Sequence, residues 1–295
     1  MGREGKGVTR RRVVRFSEGS AAAAEEDSVA VEEPLEIRVS GDTVAITMRT
    51  PGQDRELAVG FLFSEGIIRS VDDLGGVAYC GHPGEDGWGN VIEVTPAPGL
   101  VLEVERVSAA RRGTLTTAAC GVCGRRSVDD LMAVCSPVAL GSVLAPEVVA
   151  LATERLRDVQ RNFALTGGVH AAAALEASGA LLASAEDVGR HNAVDKVVGT
   201  LVLGGAVRSS RASVSGTAPV PERAPTLLVV SGRASFEIIQ KAAVARIPVV
   251  ASVSAASSLA VDLAERMGIT LATFVRGGRF NVYTHPARLG LPNGY

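Results

Sequence analysis

Aromatic side chains are scarce in this chain: one Trp, three Tyr and seven Phe make up 4% of 295 residues. The interior therefore has to be built mostly from Ala, Val, Leu and Ile. Cysteine is scarcer still. Four thiols, at Cys80, Cys120, Cys123 and Cys135, are too few for the disulfide framework of a secreted domain. No apolar run approaches the ~18–20 residues of a membrane-spanning helix. The basic N-terminal residues Arg10 to Arg12 and Arg15 are not followed by the apolar stretch of a secretory signal. Excess charge is missing too, since a net −2 gives no general reason to expect nucleic acid binding. Only three of the thirty basic residues are lysines, a skew that an Ala- and Arg-rich coding bias explains. These absences lead to an expected cytoplasmic protein with reduced thiols and no nucleic acid or membrane partner.

What remains is globular in composition, 46% hydrophobic and 21% charged, and long enough for two domains. Residues 1–33 turn from basic to acidic and read as a flexible tail with a short strand at Val13–Phe16. From Pro34, "LEIRVSGDTVAITMRT" alternates about Gly41-Asp42 and predicts a hairpin. "DRELAVGFLFSEGII" predicts a mostly buried helix with Asp54 as its cap. Strand-rich runs at 77–80, 90–95 and 100–107 complete an N-terminal α+β domain over 34–112. A CxxC loop and linker fill 113–146, and a C-terminal α/β domain spans 147–289, with 290–295 as a tail. After Pro146 one helix is expected as far as Gly167-Gly168, then two strands about Gly179 and a helix from about His191. Residues 205–224, small, polar and Pro-bearing, read as a surface insertion.

The clearest pattern is C-terminal. "TLLVVSG", "PVVASVS" and "TLATFV" are strands separated by amphipathic helices, the first capped by Ser235 and the second by Ser257 or Ser258. Strand–helix–strand–helix–strand with short turns implies right-handed parallel crossovers. Ligands in such sheets collect at the carboxyl ends of the strands. Here those ends are Ser231-Gly232-Arg233, Ser252 to Ser258, and Arg276-Gly277-Gly278-Arg279. Two of the three combine Gly or Ser with Arg, which suits a phosphate group, although ordinary capped turns have the same composition.

Half the thiols lie in "CGVCG", residues 120–124, with arginine pairs on both sides. Two cysteines at this spacing are half a zinc site, but Cys80 and Cys135 do not form a second pair. A deaminase-like zinc site lacks its glutamate, because Ala172 stands two residues after His170. Disulfide exchange uses CxxC at the start of a firm helix, and the glycines here argue for a loop. Sulfur carriage, with a thiolate favoured by nearby arginines, fits a reaching loop. All three readings remain open on spacing alone. Cys80 and Cys135 read as small buried hydrophobes. "EDVGRHNAVDKVVG", residues 186–199, crowds polar groups that either do chemistry or begin a solvated helix, with His191 and Asp195 as i,i+4 neighbours. "TGGVH" at 166–170 is either a helix stop or a backbone-lined pocket.

Six stretches in order, "ELAVGFLFSEGII", "CGVCG", "TGGVHAAA", "EDVGRHNAVDKVVG", "SGRASFEIIQKAA" and "FVRGGRFNVYT", make the chain resemble the formate dehydrogenase accessory sulfurtransferase family over about 34–289. The resemblance implies a sulfurtransferase, acting as a stoichiometric carrier or with turnover. It would take a persulfide from a cysteine desulfurase and give the sulfur to a molybdenum (or tungsten) bis-guanine-dinucleotide cofactor before insertion into formate dehydrogenase. It implies Cys120 as persulfide carrier and Cys123 as assisting thiol. Phe274, Val275, Arg276, Gly277, Gly278 and Arg279 would be the cofactor-binding segment. The cofactor is expected as a bound substrate, with no metal site or permanent cofactor in the protein. The implied fold is α/β, a small N-terminal β-rich domain plus a three-layer α/β domain like that of cytidine deaminases, in a homodimer. A cofactor-binding chaperone whose CxxC does no chemistry is the alternative.

Overall fold

The computed structural model describes residues 7–19, 23–82, 88–102, 135–139, 141, 143–209 and 223–292. The expected hairpin is present. β3 (Glu33–Val39) and β4 (Asp42–Arg49) pair antiparallel about Ser40 and Gly41, both at positive φ as a tight two-residue loop requires. Leu35, Ile37 and Val39 point inward in alternation. β6 (Val91–Pro96) lies parallel to β3 and antiparallel to β5 (Leu74–Tyr79), giving a four-stranded sheet in the order β4-β3-β6-β5. No strand occupies 100–102, and residues 103–107 of that expected run lie outside the described residues.

The segment expected as a tail carries an antiparallel ribbon instead. β1 (Val8–Arg15) pairs with β2 (Ala23–Ala30) along its whole length, and the register sets Arg11 opposite Asp27 and Arg12 opposite Glu26. The switch from basic to acidic residues, which suggested a solvated tail, supplies complementary cross-strand charges.

The second sheet has six strands in the order β12-β11-β10-β9-β7-β8. Its parallel centre is β9 (Leu227–Val230), β10 (Val249–Ser252) and β11 (Thr270–Arg276), as the short turns implied. β12 (Arg279–Val282), β7 (His170–Leu175) and β8 (Leu181–Asp187) extend it antiparallel. β9 and β10 are buried at every position, the mark of strands covered on both faces. One face packs on α2 (Pro146–Arg157) through Val149, Ala152 and Leu156. The other meets α4 (Arg190–Leu203), α5 (Phe236–Val244) and α6 (Ser258–Arg266).

The single helix expected after Pro146 is two. It breaks at Asp158–Gln160 and resumes as α3 (Arg161–Thr166). The Glu186 carboxylate accepts hydrogen bonds from the Asn162 and Phe163 amides, both at 2.8 Å, and so restarts the helix from across the chain. Its end at Gly167, in the left-handed region, is where the sequence placed it.

α1 (Asp54–Ser64) joins the two sheets into one apolar core, which runs from Leu35 and Ile92 through α1 and α4 to Val230 and Leu271. Asp54 does not cap α1. It is the first helical residue, and its carboxylate takes a two-pronged contact from buried Arg49 at 3.1 and 3.2 Å and the Tyr79 hydroxyl at 2.8 Å. Where α1 crosses α4 there is no room for side chains. A Cβ on Gly60 would stand 1.8 Å from the Asp195 carbonyl oxygen, and one on Gly199 would stand 1.8 Å from that of Glu56.

Gly60→Ala and Gly199→Ala each drive a methyl group into backbone, so each is expected to cost about 2–3 kcal/mol or more in urea unfolding. Gly76→Ala, where a Cβ meets nothing within 4 Å, is the matched control, expected within about 0.5 kcal/mol of wild type. Equal loss in all three variants would show that the crossing is not what the glycines serve.

Candidate functional site

The carboxyl edge of the six-stranded sheet gathers the turns after β9, β10 and β11, the start of β7, and the first turns of α4 and α5. Two of the turns are laced together: the Ala234 amide donates to Ala255 O at 3.0 Å and the Ser257 amide to Ala234 O at 3.1 Å. Ser257 caps α6, its hydroxyl accepting from the Ala260 amide at 3.3 Å. Ser235 precedes α5 without making that bond. Its hydroxyl instead lies 3.2 Å from His191 Nε2.

The polar segment 186–199 divides sharply between structure and edge. Asp187 is fully buried and accepts from the Thr50 and Gly189 amides, Asn192 Nδ2 and Lys196 Nζ, the last at 2.7 Å. Lys196 also donates to Thr50 O at 2.8 Å. Asp195 is held by Lys241 Nζ at 2.7 and 2.9 Å and by the Ser64 hydroxyl at 3.0 Å. These groups are buried and satisfied, tying α4 to α1, α5 and the loop after β4. The expected approach of His191 to Asp195 is absent among the described residues, since Asp195 turns inward and His191 turns to the edge.

At the edge, His191 Nε2 lies 3.5 Å from the Glu237 carboxylate. Burial alone would push Glu237 up, but hydrogen bonds from His191, its own amide and Ser235 overcome this and hold it at about 2. His170 is pushed down, first by burial and then by the charges of Arg190 and His191.

Phe274 through Arg279 comprise the end of β11, the Gly277-Gly278 turn and the first residue of β12. The Phe274 amide donates to Ser254 O at 3.3 Å, which places the segment beside the turn after β10. Phe274 has φ 52°, a left-handed conformation that a bulky non-glycine residue seldom adopts. Gly277 and Gly278 are also left-handed, and the β11–β12 register slips between Thr273 and Arg276. Buried Thr273 Oγ1 has no hydrogen-bond partner among the described residues. Val275 is buried, whereas Phe274, Arg276, Gly277, Gly278 and Arg279 are exposed. The segment thus presents two guanidinium groups and an aromatic face on a tight glycine turn, a donor set that fits a phosphorylated, base-bearing ligand.

Cys120 and Cys123 lie outside the described residues, as do the arginine pairs beside them. Cys135 is buried in the core and Cys80 is partly exposed. No group of three His, Cys, Asp or Glu able to hold a metal occurs among the described residues. No helix among them is long and apolar enough to cross a membrane. The sequence reading missed Glu237 and took Ser235 for a cap only. The available signal was "SGRASFE", which puts Ser235 and Glu237 in the first turn after an Arg-bearing strand end.

With this geometry established, likeness to other proteins is informative. The family model described as FdhD/NarQ matches residues 30–290. The sulfur carrier protein FdhD of Anaeromyxobacter dehalogenans is 56% identical over 265 residues, covering 90% of this chain and 89% of the relative. The protein of the same name from Streptomyces avermitilis is 46% identical over 296 residues, with 97% of each chain covered. Among solved structures, a protein from Desulfotalea psychrophila assigned as a formate dehydrogenase accessory protein superposes with a TM-score of 0.68, at 24% identity, over 96% of this chain and 99% of that one. The mixed α/β fold, the ordered motifs and the extent of identity lead to one conclusion: the chain belongs to the FdhD/NarQ family.

Proposed function

We propose that this protein is a sulfur carrier in the maturation of formate dehydrogenase. The observation that carries the reading is the 56% identity, over nine-tenths of the chain, to proteins named sulfur carrier protein FdhD. The exposed arginines of a strained glycine turn support a nucleotide-bearing partner at Phe274–Arg279.

In this proposal Cys120 attacks the outer sulfur of a cysteine desulfurase persulfide. The donor's S–S bond breaks, the desulfurase cysteine leaves as thiolate, and a new S–S bond forms on Cys120. Cys123 then attacks the Cys120 sulfur. A Cys120–Cys123 disulfide forms, and the terminal sulfur leaves with two electrons as sulfide, at the oxidation level of a metal ligand. A dithiol reductant resets the pair. The acceptor is the molybdenum bis-guanine-dinucleotide cofactor, the substrate of the step, held through Arg276 and Arg279 and then passed to formate dehydrogenase. A chaperone that binds this cofactor without sulfur chemistry is the competing reading.

Intact-mass spectrometry after incubation with an active desulfurase and cysteine should show a gain of one sulfur atom. The gain should disappear on reduction and be absent from Cys120→Ala. No gain in wild type would remove the carrier reading and leave the chaperone. For the binding turn, Arg276→Ala and Arg279→Ala should each weaken guanosine diphosphate binding at least about tenfold by calorimetry, the worth of a charge-assisted contact. Unchanged affinity in both would place the nucleotide elsewhere.

A further inference from the structure

A second group of donors stands on the same edge, away from the β11–β12 turn. β7 runs antiparallel to β9 with Ala172 opposite Val230, which brings His170 beside the turn that follows β9. Arg190, the first residue of α4, reaches the same place. A Cβ built on Gly232 would lie 3.4 Å from His170 Nδ1 and 3.7 Å from Arg190 Cδ, so the two side chains converge over that glycine.

Among the described residues neither side chain has a hydrogen-bond or ion-pair partner there. Among the described residues Arg190 forms no ion pair or hydrogen bond, and its Nε is enclosed without an acceptor. The nearby carboxylates are engaged: Glu237 faces His191, Asp187 holds Lys196, and Glu186 holds the α3 amides. His170 likewise has no hydrogen-bond partner among the described residues. An enclosed guanidinium nitrogen without an acceptor is costly. The α4 N-terminus adds its amide dipoles at the same point.

We propose that Arg190 and His170, converging over Gly232, form a phosphate-binding subsite separate from the Phe274–Arg279 turn. The guanidinium fork grips two oxygens of the anion, and the imidazole donates one N–H to a third. The phosphate could belong to a nucleotide or be inorganic. The subsite rests on the edge being a phosphate-binding surface, as the proposed function also holds, but it does not depend on sulfur chemistry.

The test follows the four histidine imidazoles of the full-length protein by long-range proton–nitrogen NMR, with His170→Asn identifying the signal. Inorganic pyrophosphate, guanosine diphosphate and guanosine are the added probes. Either phosphate probe should move the His170 signals and raise that residue's pKa, while guanosine should not. Which phosphate probe acts at lower concentration identifies the source. Arg190→Gln should weaken the response at least about tenfold, with Arg190→Lys read instead if the glutamine variant does not fold. The response should persist in Arg276→Ala, which separates this subsite from the other turn. A His170 signal unmoved by both phosphate probes, an equal response to guanosine, or full affinity in folded Arg190→Gln would each overturn the proposal. Persulfide loading on Cys120 would be unaffected by any of those results.

Discussion

Two helix backbones meet without side chains between them at Gly60 and Gly199, and this contact sets the distance between the sheets. α1 covers the four-stranded sheet, and α4 covers the six-stranded one. Because the helices touch at their carbonyls, the apolar layers above and below fuse into one core instead of two. The crossing also fixes the rotation of α4. With Gly199 and the Asp195 carbonyl facing α1, the Asp195 carboxylate lies within reach of Ser64 and Lys241, and the first turn of α4 is aimed past the end of β9.

The charge distribution follows from that rotation. Residues that look alike in sequence are sorted by the direction in which the helix turns them. Asn192, Asp195 and Lys196 face inward, beside buried Asp187 at the end of β8, and the charged groups must be paired because an unpaired charge in that setting is costly. Arg190 and His191 belong to the same first turn but face the edge, where carboxylates are few. Arg190, Arg276 and Arg279 place three guanidinium groups on that edge, although the chain carries a net charge of −2. A polar edge over an apolar core built from alanine and valine gives a ligand fixed donors with little competition from protein anions.

Much of this fold was legible in the sequence because it rests on local rules. Alternation about Gly41 gave the β3–β4 hairpin. The apolar runs at 227–230, 249–252 and 270–276, separated by two helices, gave the parallel centre and the carboxyl edge at which its turns gather. Gly167 ended α3 as a left-handed cap should. Most of the readings that differed involved partners distant in the chain. The β1–β2 ribbon needs acidic residues set against basic ones about 15 positions away, by the antiparallel register of a two-stranded pair. The break before α3 depends on Glu186, and the role of Asp54 depends on Arg49 and Tyr79.

By itself, the sequence determined most element types, the carboxyl edge of the parallel strands and, through its ordered motifs, the family, since periodicity and turn chemistry act over a few residues. Tertiary structure alone decided which polar residues of 186–199 are structural, why Gly60 and Gly199 must lack side chains, and that Arg190 and His170 converge over Gly232. These facts depend on which side of a helix faces which neighbour, and that is set only when distant segments pack at van der Waals distance.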